Sequence, residues 1–102
     1  LPVARGVEAL QDGRVIRKHA VVRGKVQGSG FRYYTQTEAI RLGLTGYVRD
    51  LPDGSVEAEI EGDDDVVDAL VDWLRVGPTW ADVTEVDVAD RLPTGRPGFH
   101  IL

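Results

Sequence analysis

Hydrophobic and polar positions along the chain change period several times, and each change marks an element. Residues 17–26 read as a first strand, with Ala20, Val22, Gly24 and Val26 on one face and Lys18 in the same register near the edge. Gln27-Gly28-Ser29-Gly30 is too glycine-rich for a strand interior. A helical pattern then runs over residues 31–42. Phe31 and Tyr34 lie along one side with Thr35 or Glu38, and Ala39, Ile40 and Leu42 extend the apolar surface; Gly43 supplies the stop. Residues 44–50 read as a second strand. In the turn Pro52-Asp53-Gly54, Pro sets φ and Gly tolerates a positive one. Residues 55–61 alternate cleanly, Val56, Ala58 and Ile60 against Ser55, Glu57, Glu59 and Glu61, which predicts an antiparallel hairpin with the preceding strand.

The second helix carries the clearest stripe: Val66, Val67, Leu70, Val71 and Leu74 fall at i, i+1, i+4, i+5 and i+8. Asp63 is placed to cap it, Asp64 and Asp65 suit its positive first turn, and Gly77-Pro78 ends it. Residues 82–91 form another strand, with Val86 and Val88 in register and Val83 out of phase, as across a bulge. Residues 98–102 make a short closing strand. The order strand, helix, strand, strand, helix, strand, plus the terminal strand, predicts an α+β fold of the ferredoxin-like split βαβ type. Its sheet is largely antiparallel, both helices lie on one face, and the other face meets solvent or a partner. Residues 1–16 show no sustained period and read as a flexible extension or a loosely attached strand, leaving 17–102 as the domain.

Composition narrows the chemistry. A chain of 102 residues, 42% hydrophobic and 28% charged, suits one domain with one core. With no cysteine there is no disulfide framework, thiolate zinc site or cysteine nucleophile. The first residues lack the charged-then-apolar order of a signal peptide, and no apolar run approaches the roughly 20 residues of a membrane span, so a cytoplasmic protein is expected. The net charge of −5 argues against a nucleic-acid binder, whose affinity comes largely from neutralising phosphates. A small anionic ligand stays admissible, because the potential of one loop can differ from the net charge.

The stretch that carries chemistry is Gly24-Lys25-Val26-Gln27-Gly28-Ser29-Gly30-Phe31-Arg32, which joins a strand to a helix. Glycines let backbone N–H groups turn inward, the helix start adds free N–H donors, and Arg32 offers a fork matched to phosphate oxygens. Together they describe a cradle for a small oxyanion. Two common phosphate motifs fail: there is no Gly-Lys-Ser/Thr ending, and Tyr33 stands where a dinucleotide fingerprint needs its third glycine. The bland readings of other residues are a helix-capping role for Asp63-Asp64-Asp65, which lack the glycine and final glutamate of a calcium loop. His19 and His100 have no metal-ligand spacing, and Arg23 and Lys25 read as solvated strand charges. Tyr33, Tyr34, Trp73 and Trp80 read as core or helix-surface packing.

This stretch resembles the acylphosphatase motif Gly-x-Val-Gln-Gly-Val-x-Phe-Arg, matching it at Gly24, Val26, Gln27, Gly28, Phe31 and Arg32. A second block, Gly46-Tyr47-Val48-Arg49-Asp50 followed by Asp53-Gly54, is similar to the family's Gly-Trp/Tyr/Phe-Val-x-Asn and its glycine turn. The resemblance covers residues 17–102 and implies hydrolysis of acyl phosphates to carboxylate and inorganic phosphate. Backbone N–H groups of Gln27, Gly28, Ser29, Gly30 and Phe31 would bind the phosphoryl oxygens with the Arg32 guanidinium. A water held by the residue at position 50 would attack in line, with no metal and no cofactor, in a monomer. Two positions depart from the family pattern. Ser29 replaces a valine, and Asp50 replaces the water-orienting asparagine, which implies a site weakened at neutral pH. The competing readings are a catalytically weak phosphate-binding module of the same fold, the acylphosphatase-like first domain of larger carbamoyl-transfer proteins, and an RNA-binding ferredoxin-like domain. The last would need basic charge and exposed aromatics on the central strands.

Overall fold

The structure is a computed structural model and describes residues 14–102. Its elements are β1 (Val15–Lys25), α1 (Phe31–Arg41), β2 (Thr45–Asp50), β3 (Val56–Asp63), α2 (Asp64–Val76), β4 (Asp82–Arg91) and β5 (Phe99–Ile101). The strands form one sheet in the order β4-β1-β3-β2-β5, antiparallel except where β5 runs parallel to β2. This is the expected α+β ferredoxin-like arrangement. Both helices cover one face, where Ala20, Val22, Val48, Val56, Ala58 and Ile60 meet Phe31, Ala39, Val67, Leu70 and Leu74 in one core. No helix among the described residues is long and apolar enough to cross a membrane.

β1 begins two residues earlier than the sequence suggests. Val15 and Ile16 pair with Asp63 and Gly62, and Ile16 packs against the core. They therefore belong to the sheet; Arg14 of the expected extension precedes them, and residues 1–13 lie outside the described residues. The expected irregularity in β4 is a bulge: Arg23 pairs with Glu85 but Gly24 pairs with Val83, which leaves Thr84 unpaired. Gly24 is required by this approach, since a Cβ there would lie 2.1 Å from the Asp82 carbonyl oxygen.

Two details of the helices differ from the sequence reading. The buried face of α1 is Phe31, Thr35 and Ala39, whereas Tyr34 and Ile40 point outward. Thr35 is tolerated inside because its hydroxyl donates to the Phe31 carbonyl at 2.8 Å. Asp63 occupies the N-cap of α2 but makes no side-chain capping bond. The Asp64 N–H instead donates to the Arg14 carbonyl, and Asp65 accepts from the Val66 N–H.

The helix-free face holds a charge network in place of a solvated row. Glu61, read from its alternation as an exposed position, is buried at 5% exposure. It accepts from Arg17 at 2.9 Å and from the Thr94 and Gly95 N–H groups at 2.8 and 2.9 Å. Burial alone would raise its pKa; the two backbone donors and Arg17 outweigh that and hold the carboxyl below its ordinary value. The segment between β4 and β5 is thereby tied across the sheet.

Candidate active site

β1 ends at Lys25 and α1 begins at Phe31, so the five residues between them turn the chain at one end of the sheet. Gly28 and Gly30 have φ of +82° and +81°, while every non-glycine residue described has a negative φ. The sign of φ thus alternates along residues 27–31, the pattern that points successive N–H groups into one concavity. No N–H of residues 27–31 donates to an acceptor among the described residues. The opening turn of α1 adds its own partial positive charge beside them, with no acidic residue in that turn to offset it. A side chain at Gly28 would meet open space, so glycine is there for conformation.

Each predicted residue has a distinct place. Gly28 and Gly30 are exposed, Ser29 is half-buried, and Phe31 buries its ring against Trp73 with centroids 6.0 Å apart, leaving only its N–H toward the loop. Arg32, half-exposed, follows on the first turn of α1. Asp50 closes β2, and its Oδ1 lies 3.5 Å from Arg32 Nε. This contact is longer than a normal hydrogen bond, and Asp50 Oδ1 is buried without a hydrogen-bond partner. The fold therefore brings the two sequence blocks together, and it leaves a carboxylate oxygen under-satisfied at the edge of a donor-rich loop.

Sequence reasoning missed what fixes that juxtaposition. The Gln27 side chain does not face a ligand. Its amide donates to the carbonyls of Leu51 and Ser55, both at 2.7 Å, and clamps the cradle to the β2–β3 turn. The turn itself is held by Asp53, which accepts from the Ser55 N–H and hydroxyl. The Ser55 donors, with Arg23 adding to them, lower the Asp53 carboxyl below its ordinary value. Arg23 is thus paired with Asp53 and Asp87 instead of standing free in solvent. The only local signal for the clamp was an amide next to a glycine pair, which does not name its partner.

Other candidates lie apart. His19 contacts Glu57 at 2.7 Å on the helix-free face, and His100 contacts the Pro97 carbonyl. Burial would raise Glu57, but hydrogen bonds from His19 and Arg49 prevail and lower it. No group of three or more His, Asp or Glu side chains among the described residues is placed to hold a metal. Among the described residues, surface hollows of about 640 and 430 Å³ sit beside β4 and α2, and one of about 440 Å³ lies between Tyr47 and the segment that leads into β5; none is lined by residues 27–32. An ion gripped by backbone donors needs directed N–H groups and little enclosed volume, so the shallow loop remains the chemically competent place.

Comparison with known proteins shows the family and the fold. The family model described as acylphosphatase matches residues 18–101. A Bifidobacterium longum protein named acylphosphatase is 54% identical over 80 residues, covering 78% of this chain and 82% of that protein. One from Thermococcus kodakarensis is 48% identical over 87 residues, covering 85% and 96%. The solved structure of an acylphosphatase from Coxiella burnetii superposes with a TM-score of 0.83 at 34% identity, covering 86% of this chain and 93% of that one.

Proposed function

This chain belongs to the acylphosphatase family and hydrolyses acyl phosphates, and we propose that residues 27–32 and Asp50 are the machinery with which it does so. The N–H groups of Gln27, Gly28, Ser29, Gly30 and Phe31 take the phosphoryl oxygens, and the Arg32 guanidinium grips two of them as a fork. A water attacks phosphorus on the side opposite the carboxylate. The new P–O bond forms as the P–O bond to the acyl group breaks, the carboxylate leaves with the electron pair, and the water's proton passes to phosphate or solvent. A carboxylate is a good leaving group, so positioning and charge stabilisation meet the needs of the reaction. We therefore read the enzyme as independent of metal and cofactor. A chain without cysteine needs no oxidising compartment, which supports action in the cytoplasm, and all the proposed residues come from one copy, which supports a monomer.

The observation that carries this reading is the meeting of a loop of alternating φ, a helix N-terminus and Arg32 at one point. The test is competitive inhibition of acetyl phosphate hydrolysis by inorganic phosphate, in the presence of a chelator. Arg32→Ala is expected to keep its circular dichroism and to lose phosphate affinity by at least about tenfold, as for a charge-assisted bond of about 1.5–3 kcal/mol. Arg32→Lys is expected to fail nearly as badly, because a point charge cannot reproduce the fork. Near-normal phosphate inhibition in Arg32→Ala would falsify the assignment, and turnover that vanishes with chelator and returns with a divalent metal would remove the metal-free mechanism.

A further inference from the structure

Beside the cradle the surface carries aromatic rings that the core does not use. Tyr33, Tyr34 and Trp80 are 60%, 42% and 49% exposed. They form a ladder: the Tyr33 and Tyr34 rings meet edge-on at 5.3 Å, and Tyr34 meets Trp80 at 5.0 Å and 66°. Tyr33 and Tyr34 follow Arg32 directly on α1. The Tyr34 ring lies 3.6 Å from where a Cβ of Gly30 would be, within van der Waals reach of the cradle's last glycine. From there a hollow of about 340 Å³ runs between α1 and the turn after α2, walled by Tyr34, Glu38, Trp73, Pro78 and Trp80. Its one carboxylate, Glu38, is already engaged by both Nε and Nη2 of Arg41, and no cation lines the wall.

We propose that this aromatic hollow is the subsite for the acyl group, and that it selects acyl phosphates with a flat, apolar, uncharged acyl portion. The inference rests on the phosphate reading above. In an acyl phosphate a single bridging oxygen separates phosphorus from the acyl carbon, so a phosphoryl group seated on residues 27–32 must place its acyl group beside the loop. Tyr34 and Trp80 offer ring faces and edges there, which favour a flat π system over a short alkyl chain. An acyl group bearing a free carboxylate would find no cation lining the hollow to pair with.

The experiment compares kcat/KM for benzoyl phosphate and acetyl phosphate in the parent chain, Trp80→Ala and Tyr34→Leu, with phosphate inhibition measured for each. Ile40→Ala, an exposed position on the same helix, is the control. The benzoyl-to-acetyl ratio is expected to fall about three- to ten-fold in both variants, the worth of one aromatic contact. The fall should come mainly through the KM for benzoyl phosphate, with phosphate inhibition and the Ile40→Ala ratio unchanged. An unchanged ratio overturns the subsite. So does a parallel loss on both substrates accompanied by weaker phosphate inhibition, since the rings would then merely support the cradle. If Arg32→Ala hydrolyses both substrates as well as the parent chain, the phosphate reading itself falls, and the subsite with it.

Discussion

Asp50→Asn is expected to raise kcat/KM at neutral pH by about ten- to a hundred-fold. The substitution keeps the shape of the side chain and removes its charge. Two electrostatic effects then change. Asp50 Oδ1 and Arg32 Nε are 3.5 Å apart, a bare attraction of about 5 kcal/mol at an effective dielectric of 20. The Arg32 and Asp50 side chains are 44% and 32% exposed, so the pair is worth only the ~0.2–1 kcal/mol of a surface ion pair. That is the amount by which Asp50 competes with phosphate for Arg32. The second effect is repulsion of the substrate. A carboxylate about 4 Å from one negative charge costs about 4 kcal/mol at the same dielectric, reduced by solvent screening to about 1–2 kcal/mol. The sum is about 1.2–3 kcal/mol, and about 1.4 kcal/mol is tenfold. The asparagine can also donate a hydrogen bond to water, which a carboxylate cannot. The assay is acetyl phosphate hydrolysis by both chains at neutral pH and at two ionic strengths. The advantage of Asn should be largest at low salt and should shrink as salt screens the carboxylate. A gain equal at both ionic strengths would mean that charge is not the difference. No gain at all would mean that position 50 does not address the attacking water, and the match of the second sequence block would lose its functional meaning.

Two predictions concern the scaffold. Glu61 is held below its ordinary carboxylate pKa in the fold, so its contribution to stability is fully present above the unfolded value of about 4.3 and is lost as pH falls through the folded value. Glu61→Gln should therefore cost about 2 kcal/mol near neutral pH, read by urea unfolding, and progressively less in acid; a cost that does not change with pH would refute the linkage. Gly46 has a φ of +138°, and a Cβ there would fall 1.8 Å from the Glu59 carbonyl oxygen, so Gly46→Ala should lose about 1–3 kcal/mol of stability or more and separate β2 from β3. A Gly46→Ala chain as stable and active as its parent would show that β2 can shift without moving Asp50.

The parts of the fold that could be read from sequence are those in which one local period decides burial. Val67, Leu70, Val71 and Leu74 are buried as their spacing requires, and so are Val56, Ala58 and Ile60. The phase slip at Val83 announced a real bulge. What escaped depends on partners distant in the chain. Thr35 lies inside and Tyr34 outside because a hydroxyl can satisfy itself on the helix backbone, while the Tyr34 ring has Trp80 to pack against. Glu61 is buried because Arg17 from β1 and Thr94 and Gly95 from the segment before β5 converge on it. At the site, the motif located the loop and Arg32, but the approach of Asp50 depends on the pairing of β2 with β3 and of β3 with β1. The Gln27 clamp depends on a turn some two dozen residues further on.

The same accounting bears on how a chain of net charge −5 would present the proposed anion site. Several of its carboxylates are engaged elsewhere. Glu57, Glu59 and Glu61 lie on the helix-free face, tied to His19, Arg49 and Arg17. Asp53 is turned into its own turn and toward Arg23. Charges more than about 8–10 Å from the loop are largely screened at physiological salt. The donors of the cradle are backbone groups, whose field depends on φ and on the helix start and is indifferent to net charge. Among the described residues, Asp50 is the one carboxylate paired with Arg32. The conflict between an acidic protein and an anionic substrate is therefore concentrated in a single side chain. Neutralising any of the sheet-face glutamates should alter stability with little effect on turnover, whereas neutralising Asp50 should do the reverse.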